Sequence, residues 1–156
     1  MQIETVRIDP RPMIYVTRSA SMAPEEISTV MGEAFGAIGG FIGRAGIVPV
    51  GPPLAVYRDW DAATGKMNID VGFPIAEADT AKAEGEVKSG ETPSGNALKT
   101  VHRGPYATLR NTYGDMTAHI KKIGMAIPSV AWEVYITDPE KTPEKDLLTE
   151  VYMAAP

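Results

Sequence analysis

Hydrophobic and polar side chains follow two different periods in the first half of the chain. Residues 13–19 are rich in β-branched and aromatic side chains, which is typical of a strand. After Pro24, apolar side chains recur every three or four residues to about Arg44, and this spacing predicts a helix. Residues 54–60 and 67–73 are predicted to form two more strands. The first half is therefore predicted to be a β-α-β-β unit.

The second half repeats this order. A strand is predicted over residues 97–103, and Gly104-Pro105 is predicted to begin a second helix. Strands are again predicted over residues 130–137 and 147–153. The polar stretch between the halves reads as a connector, in which we expect an edge strand near Val87.

This repetition predicts one α+β domain over residues 1–156, built from duplicated β-α-β-β units related by a pseudo-twofold axis. Repeat one covers about 1–75, the connector about 76–95, and repeat two about 96–156. A single unit covers only one face of its sheet with its helix. Two units can join antiparallel sheets with the helices on one side, and the seam between them forms a central groove where we expect a ligand.

Strand alternation assigns the side chains of the last two strands to faces. In the penultimate strand Trp132 lies on one side, and Glu133 and Tyr135 lie on the other. If the mostly apolar sides of the two strands pack under the helix, the opposite, non-helical face carries Glu133, Tyr135, Glu150 and Tyr152. We therefore expect a carboxylate and tyrosines to line one concave surface.

Two further tyrosines are candidates for the same surface. Superposing the repeats on Val56 and Trp132 places Tyr57 opposite Glu133 across the pseudo-twofold axis. Tyr113 lies on the apolar stripe of the second helix, where it can be a core residue or can reach the groove with one edge.

A carboxylate among aromatic rings is desolvated, which raises its pKa unless a cation or a hydrogen-bond donor compensates. Such a site suits a flat, positively charged ligand, because rings stack and tyrosine faces attract cations. The same pair of groups can also act as general base and proton donor. The alternative is that these side chains are simply solvated on the outer face of a hairpin. For His102 and His119, solvation or a structural hydrogen bond is the expected role.

Composition narrows the classes of function. The chain has 15 basic and 20 acidic residues, no cysteine and two histidines, for a formal net charge of −5. Disulfides and thiolate chemistry are excluded, and we expect neither a metal site nor a cofactor. The acidic balance argues against nucleic acid as a partner. Residues 34–43 are too short to span a membrane, and the first residues lack a secretion signal, so we expect a cytoplasmic protein.

Glycines recur every four residues in the first predicted helix, at Gly32, Gly36 and Gly40. Because glycine weakens a helix, we expect a neighbouring backbone to approach closely there. The GxGxxG, Walker, zinc-protease and GxSxG signatures are missing from the sequence.

Several short motifs together resemble those of GyrI-like small-molecule-binding domains. His102-Arg103-Gly104-Pro105-Tyr106 is similar to their "h-x-G-x-Y" start of a helix, and residues 132–139 to their "E-x-Y-x-x-D-P" strand. Residues 148–152 resemble their closing "L-x-T-E-I-Y" strand. Residues 53–57 and 70–74 resemble their "P-x-x-x-Y" and "D-x-x-x-G-x-P" segments. The resemblance covers nearly the whole chain.

The resemblance implies a duplicated fold that serves as the effector-binding domain of AraC- and MerR-type multidrug regulators. In those relatives a glutamate on the penultimate strand pairs with cationic drugs, which corresponds here to Glu133. Some free-standing members resemble hydrolases that open cyclopropane-bearing DNA-alkylating toxins with a glutamate and a tyrosine, and others are proposed gyrase inhibitors. Because the fold fills this chain, we expect a stand-alone protein without a helix-turn-helix domain.

Three functions follow as hypotheses. The first is binding, and possible detoxification, of an aromatic, cationic or electrophilic small molecule by Glu133, Tyr57, Tyr113, Tyr135 and Tyr152. The second is hydrolysis of a cyclopropane-bearing toxin, with Glu133 activating water and Tyr152, or else Tyr57 or Tyr113, as the proton donor. The third is inhibition of a protein partner such as DNA gyrase, which rests on the resemblance alone.

Overall fold

The computed structural model describes residues 2–156. Within this range the chain forms, in order, β1 (Glu4–Ile8), β2 (Pro12–Ser21), α1 (Pro24–Ala45), β3 (Leu54–Asp61), β4 (Lys66–Pro74), β5 (Lys88–Glu91), β6 (Gly95–Arg103), α2 (Leu109–Lys122), β7 (Ala131–Tyr135) and β8 (Leu148–Ala154). Short 3-10 turns cover Glu77–Lys82, Tyr106–Thr108 and Glu144–Asp146.

The predicted mixed α/β fold is confirmed. The described strands form one eight-stranded antiparallel sheet in the order β1-β6-β8-β7-β3-β4-β2-β5. The order β6-β8-β7 mirrors β2-β4-β3, so the two β-α-β-β units meet at the central pair β3–β7. The expected edge strand near Val87 is β5, whereas β1 was not predicted.

Proline and glycine residues lie at the ends of the two helices, and a stripe of apolar side chains packs each helix on the sheet. Pro24 is the first residue of α1, and Gly46, with a φ of 69°, ends it in the left-handed region. Before α2, Gly104 has a φ of 122°, which only glycine adopts readily, and the chain makes a 3-10 turn before Leu109. The start of the second helix is thus slightly later than predicted.

Both helices pack on the same face of the sheet. α1 covers β2 and β4 through a cluster that includes Ile38, Val16 and Ile69. α2 covers β6 and β8 through a cluster that includes Met116 and Val151. The central strands β3 and β7 therefore lie between the two helices, and we call this region the groove.

The opposite face is concave because two short links curl the sheet. β1 and β2 are six steps apart in the strand order, which in a flat sheet means about 29 Å. The three residues 9–11 that join them span at most about 14 Å. Residues 92–94 join β5 to β6 across the same number of steps, and the two links exchange hydrogen bonds through Arg11 and Thr92.

The curled face buries its own apolar cluster without a helix. The cluster contains Met13, Leu54, Val56, Ala97, Trp132 and Tyr152. The prediction that Trp132 and Val56 lie under the helices is therefore wrong. Alternation identifies which residues share a side of a strand, but here both faces of the sheet are covered, so each face carries large apolar side chains.

The explanation predicted for the helix glycines is also wrong. A Cβ built at Gly32, Gly36 or Gly39 would have nothing within 4 Å, and at Gly40 it would meet only the Arg44 side chain. The close approach occurs instead between β2 and β4, where a Cβ at Gly72 would lie 1.9 Å from the Ile14 carbonyl oxygen. Among residues 2–156, no helix combines the length and apolar character of a membrane span.

Candidate functional site

Glu133 is at the floor of the groove between the two helices. It lies on β7 opposite Ala55 of β3, at the junction of the two halves, and is only 4% exposed. Its neighbour on β8 is Val151, which belongs to the cluster under α2, whereas Tyr152 is paired with Trp132. The carboxylate therefore lies on the helix-covered face, and the predicted non-helical location is wrong.

Three tyrosines from three different elements donate hydrogen bonds to this carboxylate. The Tyr113 hydroxyl of α2 lies 2.6 Å from Oε2, and the Tyr135 hydroxyl of β7 lies 2.6 Å from Oε1. The Tyr57 hydroxyl of β3 lies 3.3 Å from Oε1. The structure thus brings together four of the five predicted site residues, and the groove-facing alternative for Tyr113 is the one observed.

Burial and hydrogen bonding act on Glu133 in opposite directions. Burial raises the pKa of its carboxyl above the ordinary value, while the hydrogen bonds from Tyr113, Tyr135 and Tyr57 offset part of that rise. Burial and the nearby negative charge raise the pKa of all three phenols well above their usual value. The phenols therefore remain protonated donors, and nearby His102 also acts to lower the pKa of the carboxyl.

Aromatic rings extend the site outward from the tyrosines. Phe35 of α1 lies edge-on to Tyr135, with ring centroids 5.8 Å apart, and edge-on to Phe73 at 6.4 Å. Tyr106 lies edge-on to the Tyr135 ring at 5.7 Å and is 38% exposed. These rings form a partly accessible aromatic wall around the buried carboxyl group of Glu133.

Phe35 and Tyr106 were not predicted as site residues. Tyr106 ends the "h-x-G-x-Y" motif, so its position just before the helix that carries Tyr113 was a usable signal. Phe35 lies on the apolar side of α1, and nothing in its local spacing distinguishes it from a core residue.

His102 has the structural role that was expected. Its Nε2 lies 3.1 Å from the Pro105 carbonyl oxygen, which can only accept, so this nitrogen carries the proton. Its Nδ1 lies 2.7 Å from the Thr112 hydroxyl, which donates to it in the neutral ring. These bonds tie β6 to the start of α2 and so help to hold Tyr113 in place.

Tyr152 lies on the other face of the sheet, away from Glu133. Its ring stacks on Trp132 with centroids 5.1 Å apart and an angle of 5° between the planes. Its hydroxyl donates to Glu150 over 2.8 Å, and that carboxylate pairs with Lys99. The predicted pairing of Tyr152 with Glu133 is therefore wrong, because the register of the β7–β8 hairpin places them on opposite sides.

The described part of the chain offers no group of three or more His, Asp or Glu side chains arranged to bind a metal ion. What the site contains is a hydrogen-bonded carboxylate, phenols and aromatic rings. Such a set can bind a cation or hold a proton.

Comparisons with known structures agree with this architecture. The C-terminal domain of EcmrR has a TM-score of 0.81 at 19% identity, covering 99% of this chain and 97% of that one. SAV2435, in a structure bound to tetraphenylphosphonium, has a TM-score of 0.70 at 12% identity, covering 100% and 94%. A hydrolase from Listeria innocua has a TM-score of 0.59 at 14% identity, covering 97% and 90%. At these identities the likeness shows the fold.

A comparison with curated proteins gives no match. The model of the GyrI-like small molecule binding domain, in contrast, matches residues 1–155. The resemblance inferred from the short motifs is therefore confirmed: the chain belongs to the family of GyrI-like small molecule binding domains.

Proposed function

We propose that the groove binds aromatic organic cations, with the ionised Glu133 as the counter-charge. The observation that carries this proposal is the buried carboxylate held by three phenols and surrounded by further aromatic rings. Tyr57, Tyr113 and Tyr135 orient the carboxylate, and Phe35 and Tyr106 supply apolar and cation–π contact. Tyr152 has no part in this site.

Electrostatics favours a cation over a neutral ligand. A carboxylate removed from water is costly to ionise, and no cationic side chain pairs with Glu133 in the described chain. A ligand cation in the groove would relieve that cost, and the aromatic faces would stabilise its charge without hydrogen bonds. SAV2435 shares this fold and was observed with tetraphenylphosphonium, which makes that cation a suitable first probe.

The test compares tetraphenylphosphonium with triphenylphosphine oxide, a neutral molecule that presents similar phenyl rings. We expect the protein to prefer the cation, and the variant Glu133→Gln to lose about 1–3 kcal/mol of cation affinity, the range for a hydrogen bond or contact to a charged group. Affinity for the neutral molecule should change little. Isothermal titration calorimetry measures both.

The matched control is Glu150→Gln. Glu150 is a glutamate on the same β7–β8 hairpin, but it lies on the opposite face with Tyr152. It should leave tetraphenylphosphonium binding unchanged. Equal affinity of the wild type and Glu133→Gln for the cation would exclude Glu133 as the counter-charge.

A second candidate function is hydrolysis of an electrophilic, cyclopropane-bearing toxin. It is favoured by the 2.6 Å contact between Glu133 and Tyr113, which places a buried base beside a protonated phenol. Glu133 would take a proton from water as the water oxygen bonds to a ring carbon and the strained carbon–carbon bond breaks. Tyr113 would give its proton to the carbon, or conjugated oxygen, that receives the bonding electrons, and the proton on Glu133 would then return to Tyr113. The fold shared with the Listeria innocua hydrolase is consistent with this.

Turnover separates the two functions. Incubation with a cyclopropane-bearing alkylator, followed by mass spectrometry, should give many equivalents of hydrated product per protein if the chain is a hydrolase, and none with Glu133→Gln. Stoichiometric binding without product would leave the binding function alone. Inhibition of DNA gyrase stays a prediction, which a supercoiling assay tests.

A further inference from the structure

A cavity of about 360 Å³ lies on the concave face, on the other side of the sheet from Glu133. Its wall includes Trp132 of β7 and Val56 of β3, whose chain neighbours Glu133 and Tyr57 point to the helix-covered face. The link residues Pro93 and Ser94 lie at its edge. The cavity is therefore separate from the proposed cation site, although both share strands β3 and β7.

Tyr15 lines this cavity, and small residues lie next to it in the sheet. Gly72 faces Tyr15 on β4, where any side chain would collide with the β2 backbone. Gly90 on β5 lies under the Tyr15 ring, since a Cβ there would be 3.3 Å from a ring carbon. Ala154 lines the far side. A larger side chain in place of Ala154 would extend into the cavity.

The cavity combines apolar wall residues with acidic groups. Trp132 is 3% exposed and its ring stacks on Tyr152, so it presents only a small part of its ring to the cavity. Asp70 is held by Arg58 through contacts of 2.8 and 3.0 Å and by Thr17 at 2.6 Å, so Arg58 is neutralised. Glu91, at the rim, makes no ion pair within residues 2–156. The unbalanced charge of the cavity is negative.

We propose that this cavity is a second binding site, for an aromatic amine whose ring packs among the apolar side chains next to Trp132 and whose protonated nitrogen is directed to Glu91. A volume of this size is within the range of small-molecule sites, which are mostly apolar with a few polar groups that orient the ligand. This inference does not depend on the proposed function of Glu133.

Trp132 provides a direct readout. The chain has two tryptophans, and the other, Trp60, is 54% exposed and outside the cavity. In the double variant Trp60→Phe/Glu133→Gln, fluorescence comes from Trp132 alone and the groove lacks its counter-charge. We expect 9-aminoacridine, which is protonated at slightly alkaline pH, to quench Trp132 saturably with one equivalent. Acridine, which is neutral there, should bind more weakly.

Two substitutions in that background locate the bound probe. Ala154→Leu fills the cavity and should abolish saturable quenching. Glu91→Gln, on the exposed rim, should weaken 9-aminoacridine binding about three- to five-fold, as expected for a partly solvated charge pair. Glu140→Gln, an exposed glutamate on the loop after β7, is the matched control and should have no effect.

Quenching that persists unchanged in Ala154→Leu, or Trp132 fluorescence that does not respond to 9-aminoacridine, would overturn the second site. Glu91→Gln keeps the test decisive if Ala154→Leu does not fold, because full affinity in that surface variant would contradict the proposed charge contact. The tetraphenylphosphonium experiment uses neither Trp132 nor the cavity variants. Failure of one proposal is therefore distinguishable from failure of the other.

Discussion

Two opposing effects of its surroundings determine the pKa of Glu133. Burial disfavours its charge, and the three phenolic donors stabilise that charge without neutralising it. The residue therefore lowers the stability of the folded chain in its ionised form. The same ionised carboxylate that would attract a cation therefore raises the free energy of the folded protein when no cation is bound.

Replacing Glu133 by glutamine should stabilise the protein, and more so as the pH rises. The folded-state pKa of Glu133 is raised, so between the unfolded and folded pKa values the native state binds more protons than the unfolded state. The contribution of Glu133 to the stability of the wild type then falls as pH rises through this window and is lowest above it. Glutamine does not titrate. Each kcal/mol gained adds about 2–4 °C to the Tm of a chain of this size.

Thermal melts of both proteins from acidic to neutral pH measure this difference. The gain in Tm for Glu133→Gln should be smallest at acidic pH and largest at neutral pH. A difference in Tm that is constant with pH would show that burial of the charge does not control the stability of this site.

The three phenols should contribute unequally. Tyr113→Phe removes a 2.6 Å donor and should lose about 1.5–3 kcal/mol at pH values where Glu133 is ionised, the range for hydrogen bonds to charged groups. Tyr57→Phe removes a 3.3 Å contact and should lose less. Urea unfolding at neutral and acidic pH tests this order. Equal losses for the two variants, or a loss for Tyr113→Phe that is unaffected by acid, would contradict it.

At the scale of secondary-structure elements, the glycines of α1 weaken the helix without a packing reason. Gly32 and Gly36 are exposed, and a Cβ at either would be in open space. Gly32→Ala and Gly36→Ala should each stabilise the protein by about 0.5–1 kcal/mol. The control is Gly72→Ala, which should destabilise it by about 1–3 kcal/mol or more, because its Cβ would overlap the Ile14 carbonyl. Urea midpoints measure all three, and destabilisation by the helix variants would indicate an undetected role for these glycines.

The sequence predicted most of the helices and strands, but it did not predict which face of the central strands lies under the helices. The strands β2, β3, β4, β6, β7 and β8 and both helices follow from local periodicity and from their proline and glycine boundaries. β1 was missed because it is a five-residue edge strand whose partner, β6, lies far away in the sequence. Local patterns do not encode such a pairing.

In the candidate site, too, the sequence predicted most of the residues but not the face of the sheet on which they lie. The alignment of the two repeats correctly placed Tyr57 beside Glu133, since it used a long-range relation within the sequence. Tyr152 does lie on the non-helical face as predicted, but Glu133 does not, because a one-residue change of register in a hairpin exchanges the faces of one strand relative to the other. Phe35 could not be identified, as only the tertiary packing of α1 brings it to Tyr135.

At the scale of the whole molecule, two short links and the central β3–β7 pair determine where ligands can bind. The links curl the sheet so that the face without helices is concave, and on the other face the central strands lie between the two helices, under Phe35 and Tyr113. Each proposed site therefore lies at the junction of the two repeats, on opposite sides of the same two strands. Neither site would exist in one repeat alone.

Cation binding should be coupled to proton release. This coupling distinguishes a direct contact of the cation with Glu133 from attraction by the net charge of the protein. The net charge of −5 attracts any cation weakly, and salt screens that attraction. A cation beside Glu133 instead favours its ionised form, so tetraphenylphosphonium affinity should rise with pH through the raised pKa and then level off.

Calorimetry in two buffers with different ionisation enthalpies measures this release directly. Within the titration window of Glu133, binding should release a fraction of a proton per cation bound, and Glu133→Gln should release none. Added salt should reduce the weak attraction of the cation that is common to both proteins. The difference in cation affinity between the wild type and Glu133→Gln should remain, because a buried charge is poorly screened. Proton release that is the same in both proteins would assign the coupling to other groups and remove the basis for a buried counter-charge.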